Sequence, residues 1–112
     1  MQNFINEKNN RITYSGQDII AIIKEISYIL CSLHDMGSFY VEKPIIEYEK
    51  ETTSFIDNSI VCDRLAAIRG CLTKNINLDE GEDGLDDIER VCENIEYWSK
   101  PGDYSKEIWL KK

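Results

Sequence analysis

Between Ser15 and Gly37, apolar residues fall at positions 19, 22, 23, 26, 29, 30 and 33, which is the repeat of an α-helix. Ile20, Cys31 and Met36 widen that stripe, as in a central helix with neighbours on more than one side. Ser15 stands where a cap belongs, and Gly37 where a left-handed terminator belongs. The run of isoleucines also suits a strand. Length decides between them: about 19 residues span some 28 Å as a helix and over 60 Å as a strand. Lys24, Glu25, His34 and Asp35 interrupt the run, so it does not read as a bilayer span.

The same test predicts helices over residues 17–36, 44–57, 60–74 and 82–96. Pro44 suits the first turn of the second, whose inward face is Ile45, Tyr48, Thr52, Phe55 and Ile56. Asn58 and Ser59 form a joint and cap. The third helix turns Val61, Leu65, Ile68 and Leu72 inward, and Gly70 inside it marks a candidate close crossing. A loop rich in Asn, Asp and Gly follows. Leu85, Ile88, Cys92 and Ile95, spaced 3, 4 and 3, make the fourth seam. Residues 1–14 are polar and read as a tail or short extended arm. Pro101-Gly102 signals a turn before a short C-terminal element carrying Ile108, Trp109 and Leu110. The expected architecture is a single all-α domain over residues 1–112, a small bundle of four main helices.

A length of 112 residues suits one domain, and 42% hydrophobic content supplies a small core with little margin. Met1 is not followed by the basic-then-apolar pattern of a secretory leader, so a cytoplasmic protein is expected. Cys31, Cys62, Cys71 and Cys92 are too far apart for a local redox or zinc pair. They read as buried free thiols, the alternative being a disulfide or metal site assembled from distant parts of the chain.

Charge changes the picture more. Asp79, Glu80, Glu82, Asp83, Asp86, Asp87, Glu89, Glu93 and Glu96 lie in one stretch with Arg90 as its only base. The remaining twelve acids are matched by twelve bases, so the whole net charge of −8 belongs to that stretch. Asp79, Glu82, Asp86, Glu89, Glu93 and Glu96 are spaced 3, 4, 3, 4 and 3. On a helix over 82–96 they would form a line of carboxylates about 21 Å long, away from the Leu85–Ile95 seam. Acids in its first turn suit the helix dipole, but Glu93 and Glu96 near its end do not. Such a line is either a solvated face or a docking surface for a basic partner. It disfavours direct contact with nucleic acid or an anionic membrane. Tyr97 and Trp98 close the stretch, either as core residues or as interface anchors.

Specific chemistry is hard to find. A calcium loop begun at Asp79 has Gly81 at its third position and Arg90 at its twelfth, where a bidentate glutamate is needed. The one histidine, His34, makes no metal-binding pair and reads as a residue near a helix end, favoured there by the dipole. No glycine-rich phosphate loop or dinucleotide fingerprint is present. An acid pair on a convex helix lacks the burial that general acid-base work needs. No cofactor, metal or enzymatic activity is expected.

Three segments carry a resemblance. They are Cys62-Asp63-Arg64-Leu65-Ala66-Ala67-Ile68-Arg69, Gly81-Glu82-Asp83-Gly84-Leu85-Asp86-Asp87-Ile88-Glu89-Arg90 and Glu96-Tyr97-Trp98-Ser99-Lys100-Pro101-Gly102-Asp103. Spread over about a third of the chain, they resemble the small acidic bacterial immunity proteins that neutralise contact-dependent growth inhibition and other polymorphic toxins. The resemblance implies a protein that binds a cognate toxin, often a basic nuclease, and blocks its active site. The expected partner-binding residues are Glu82, Asp83, Asp86, Asp87, Glu89, Glu93, Glu96, Tyr97 and Trp98. The other function class is an acidic protein-interaction or regulatory adaptor without a toxin partner.

Overall fold

A computed structural model of the chain describes residues 6–102. They form α1 (Gly16–Phe39), α2 (Ile45–Asn58), α3 (Val61–Thr73) and α4 (Asp87–Cys92), after one 3-10 turn at Glu7–Asn10. The fold is all-α, with no strand among the described residues, and α1, α2 and α3 pack on one another. The expected C-terminal element, with Ile108, Trp109 and Leu110, lies outside the described residues. The chain divides into two compact units, Lys8–Ile76 on the one hand and Met1–Glu7 with Asn77–Lys112 on the other.

In the first unit α1 begins as its sequence suggests, with the Ser15 hydroxyl accepting from the Asp18 amide at 3.0 Å. Its end differs. Gly37 keeps right-handed backbone and the helix runs on to Phe39. The Tyr40 amide donates to the Met36 carbonyl, and Lys43 Nζ donates to the Phe39 carbonyl at 3.0 Å. An amine at the last turn satisfies carbonyls that a left-handed glycine would otherwise help to cover.

The chain then reverses, and α2 and α3 run end to end antiparallel to α1. Tyr48 of α2 faces Tyr40 near the reversal, Phe55 faces Tyr28, Arg64 of α3 reaches Glu25, and Lys74 reaches Asp18 at 2.7 Å. Beyond α3 the arm returns: the Tyr14 hydroxyl donates to the Leu72 carbonyl, and Asn75 Nδ2 donates to the Thr13 carbonyl at 2.7 Å. The end of the polar N-terminal segment, Thr13 and Tyr14, is thus anchored beside the end of α3.

The break between α2 and α3 is sharp. Ile60 has φ of 47°, the left-handed region, and is the one non-glycine residue there among the described residues. A β-branched side chain in that region costs roughly 1–2 kcal/mol, so its surroundings must hold it. Arg64 does this from one turn away. Its Nε donates to the Ser59 carbonyl at 2.9 Å, its Nη1 to Glu25 Oε1 at 2.7 Å, and its guanidinium lies 4.4 Å from the centre of the Tyr28 ring. The Tyr28 hydroxyl donates to Ser59 Oγ at 3.1 Å.

This topology corrects the expected surroundings of α1. Most of its half-buried and buried residues, 18, 22, 25, 29, 32, 33 and 36, follow a single stripe, because both later helices lie along the same side; half-buried Gly37 lies off it, near the reversal. Among the described residues the buried apolar side chains are Ile22, Val61 and Ile68. Ile45, Ile56, Leu65 and Leu72, expected inside, are exposed. Cys31 and Cys62 are exposed and Cys71 and Cys92 half-buried; all four are free thiols. Gly70 marks no close crossing, since a Cβ built on it meets nothing within 4 Å.

Two outcomes follow for urea unfolding. Gly70→Ala should stabilise by roughly 0.5–1 kcal/mol, the helix-propensity difference, because the added methyl has open space. Ile68→Ala should destabilise by about 2–3 kcal/mol, while Ile20→Ala on the outer surface should stay within about 0.5 kcal/mol. Equal effects at Ile68 and Ile20 would contradict the assigned core.

Candidate functional site

The acidic stretch belongs to the second unit. It does not form the expected helix over residues 82–96, and the 21 Å carboxylate line is not built. Instead, residues 77–86 make a folded turn and only Asp87–Cys92 is helical.

Asn77 Oδ1 accepts from the Asp79 amide at 3.0 Å, a local bond that competes with helix. The Gly81 amide donates to the Leu85 carbonyl at 2.9 Å and the Gly84 amide to the Gly81 carbonyl at 3.0 Å. Gly84 supplies the left-handed backbone this turn needs, with φ of 79°. Asp86 then caps α4. Its Oδ1 accepts from the Glu89 amide at 2.7 Å, while Glu89 Oε1 accepts from the Asp86 amide at 3.0 Å, a complete capping box. At the other end, the carboxylates of Glu93 and Glu96 would face the negative pole of a longer helix, and α4 stops at Cys92.

Arg90 is the residue that sequence reasoning left unassigned. Its guanidinium grips the Asp83 carboxylate with both Nη atoms, Nη2 to Oδ1 at 2.9 Å, and Nη2 also donates to the Leu85 carbonyl at 3.0 Å. One base therefore ties α4 to the turn before it. The Arg90 hydrogen bond holds the Asp83 carboxyl well below its usual range, at about 2. Partial burial opposes the shift, and the Leu85 amide assists it.

The nine expected partner-binding residues are thus divided. Asp87 is 2% exposed and leaves the candidate surface: it is a buried side chain at the start of α4. Asp86 and Glu89 are engaged with each other's backbone, and Asp83 with Arg90. Glu82, Glu93 and Glu96 are exposed outside the helix, as are Asp79 and Glu80. Tyr97 and Trp98 are 68% and 62% exposed, so they are surface aromatics rather than core. Glu80, Gly81, Glu82 and Asp83 line an open concavity on the turn. Among the described residues no three His, Cys, Asp or Glu side chains converge as a metal site requires. No helix among them is long and apolar enough to cross a membrane.

The Asp86-x-x-Glu89 spacing, four residues inside the expected helix, was the available signal for its true start. No comparable signal singled out Asp87 for burial. No protein family, curated protein or solved structure matches this chain.

The Asp83–Arg90 clamp sets a pH dependence. Arg90 binds the ionised carboxylate, and the folded pKa is depressed from 3.8 to about 2. The clamp's contribution is therefore complete above pH 3.8 and lost as pH falls through about 2. Carboxyl NMR titration should give Asp83 a midpoint near 2, and Arg90→Met should return it towards 3.8. An unchanged midpoint in the variant would contradict the clamp.

Proposed function

We propose that this chain is a non-catalytic binding protein of immunity type. Its task is to hold a cognate toxin with a basic surface, of which a nuclease domain is the leading example, and to cover that toxin's active site. The supporting observation is the meeting, within one short segment, of the whole net negative charge and two exposed aromatic side chains. Exposed carboxylates at Glu80, Glu82, Glu93 and Glu96 would raise the encounter rate with a basic partner. Tyr97 and Trp98 would supply the buried anchors that carry most interface energy. The acidic surface in this reading is a turn and a chain exit flanking α4, not one helix face. Asp83, Asp86 and Glu89 shape the surface and still contribute charge to it. The reaction required is stoichiometric association; no bond is made or broken.

The test begins with affinity capture of the product of the neighbouring gene, then an assay of that product's toxic activity with and without this protein. A one-to-one block of activity is expected. Reversing Glu82, Glu93 and Glu96 to lysine should slow association by about tenfold or more at low salt, and the deficit should shrink as salt rises. Trp98→Ala should act mainly on the dissociation rate. No capture, or association rates indifferent to the three reversals, would defeat the proposal.

A further inference from the structure

In the unit Lys8–Ile76, α1 pairs with α2 and α3, and eight of its fourteen exposed large hydrophobics gather on one side, while Ile20, Tyr28, Phe39, Val41, Ile46 and Ile60 do not belong to that group. At about 100° per residue, Ile19, Ile23, Ile26 and Leu30 all lie to one side of the inward Ile22 line on α1. Their spacing of 4, 3 and 4 is that of a helix-packing seam, yet Ile23 is 55% and Leu30 64% exposed. On α3, Leu65 and Leu72 lie to the same rotational side of Val61 and Ile68. On α2, Ile45 and Ile56 lie to that side of Tyr48, Thr52 and Phe55. Rotation in one sense on antiparallel helices leads to the same side of the pair. The opposite side is fixed independently, because Glu25 meets Arg64 there and Asp18 meets Lys74. The unit thus has one side that carries the ion pairs between helices, together with Tyr28 and Phe39, and one side rich in aliphatic residues.

The apolar side has a further property. Ile26 lies between Glu25 and Tyr28, whose partners are Arg64 and Ser59, so it is level with the break at Ile60. About that level the pattern repeats in reverse. Ile45 and Ile56 lie above it on the second arm, and Leu65 and Leu72 below. Glu49 and Arg69, both exposed, stand at the outer edge of the face, each roughly 15 Å from the break in opposite directions. The charges are opposite, so the face matches itself under a half-turn.

We propose that this face is the seat of a second copy of the chain, packed about a two-fold axis that crosses the helices at the level of Ile26 and Ile60. In that arrangement α1 stacks antiparallel on α1 of the second copy. Leu65 and Leu72 meet Ile45 and Ile56, and Arg69 comes beside Glu49. A face about 36 Å long and about 20 Å wide offers on the order of 700 Å² per copy, close to the roughly 800 Å² of a standard stable interface. The result is a two-layered assembly, four helices in cross-section, with a shared core, of the isologous type that closes on itself. The alternative two-fold, along the helices, would set Arg69 against the uncharged outer edge of α1 near Gly16 and Ile20, and Glu49 against it near His34 and Ser38, and lacks their pairing.

The full chain should sediment as a dimer at micromolar concentration. Ile26→Asp, at the axis, should give a monomer with helix content retained by circular dichroism. Glu49→Arg and Arg69→Glu should each weaken the dimer about tenfold or more, and the double variant should recover most of the loss. This second pair of variants decides the matter if Ile26→Asp fails to fold. A chain monomeric at 100-fold higher concentration would overturn the proposal, as it would if another partner or the chain's own C-terminal segment covers the face. A dimer indifferent to both single charge reversals would overturn it equally.

Discussion

The first unit depends on the arginine that spans the break between α2 and α3. Arg64 joins three things: the Ser59 carbonyl exposed by the break, the Glu25 carboxylate of α1, and the face of Tyr28. A left-handed isoleucine is unfavourable by itself, and a break between two helices leaves carbonyls without partners. The guanidinium supplies several donors in a fixed fork, which an ammonium could not place in the same way. With the bend fixed, α2 and α3 both follow α1, one along each half. Without it, α3 would lose its tie to α1 and diverge from it.

That constraint explains the thinness of the core. Two helices in line cover one stripe of their neighbour, so α1 buries Ile22 and leaves a second apolar stripe uncovered. A small domain has little margin in buried apolar surface. The apolar side left by the bend is consequently the most informative surface of this unit, and its own two-fold pattern says what fits it.

The three long helices were legible in the chain because each carries a sustained helical period, and Ser15 and Pro44 mark two of their starts. Which apolar residues would be buried was not legible. Periodicity identifies a face, but not how many neighbours that face has. Leu65 and Leu72 continue the seam of Val61 and Ile68 and are exposed all the same. The break at Ile60 was also hidden, since nothing in an isoleucine announces left-handed backbone. In the acidic stretch, the spacing of the carboxylates imitated a helix that local bonds overrode. Asp86 and Glu89 are neighbours three apart in that line, yet their chemistry is that of a helix start.

The two units divide the labour in this account. The second gathers the charge and exposes Tyr97 and Trp98, while its one arginine keeps the turn in shape. The first offers an apolar side whose exposure follows from the Arg64 bend. The most direct test of that bend is a double-mutant cycle with Arg64→Met and Glu25→Gln, read by urea unfolding at fixed protein concentration. The clamp predicts a coupling of about 1 kcal/mol or more, since a charge-assisted bond between half-buried groups is being broken. Additive effects within about 0.3 kcal/mol would show that Arg64 does not hold α3 to α1, and the one-sided arrangement would lose its cause.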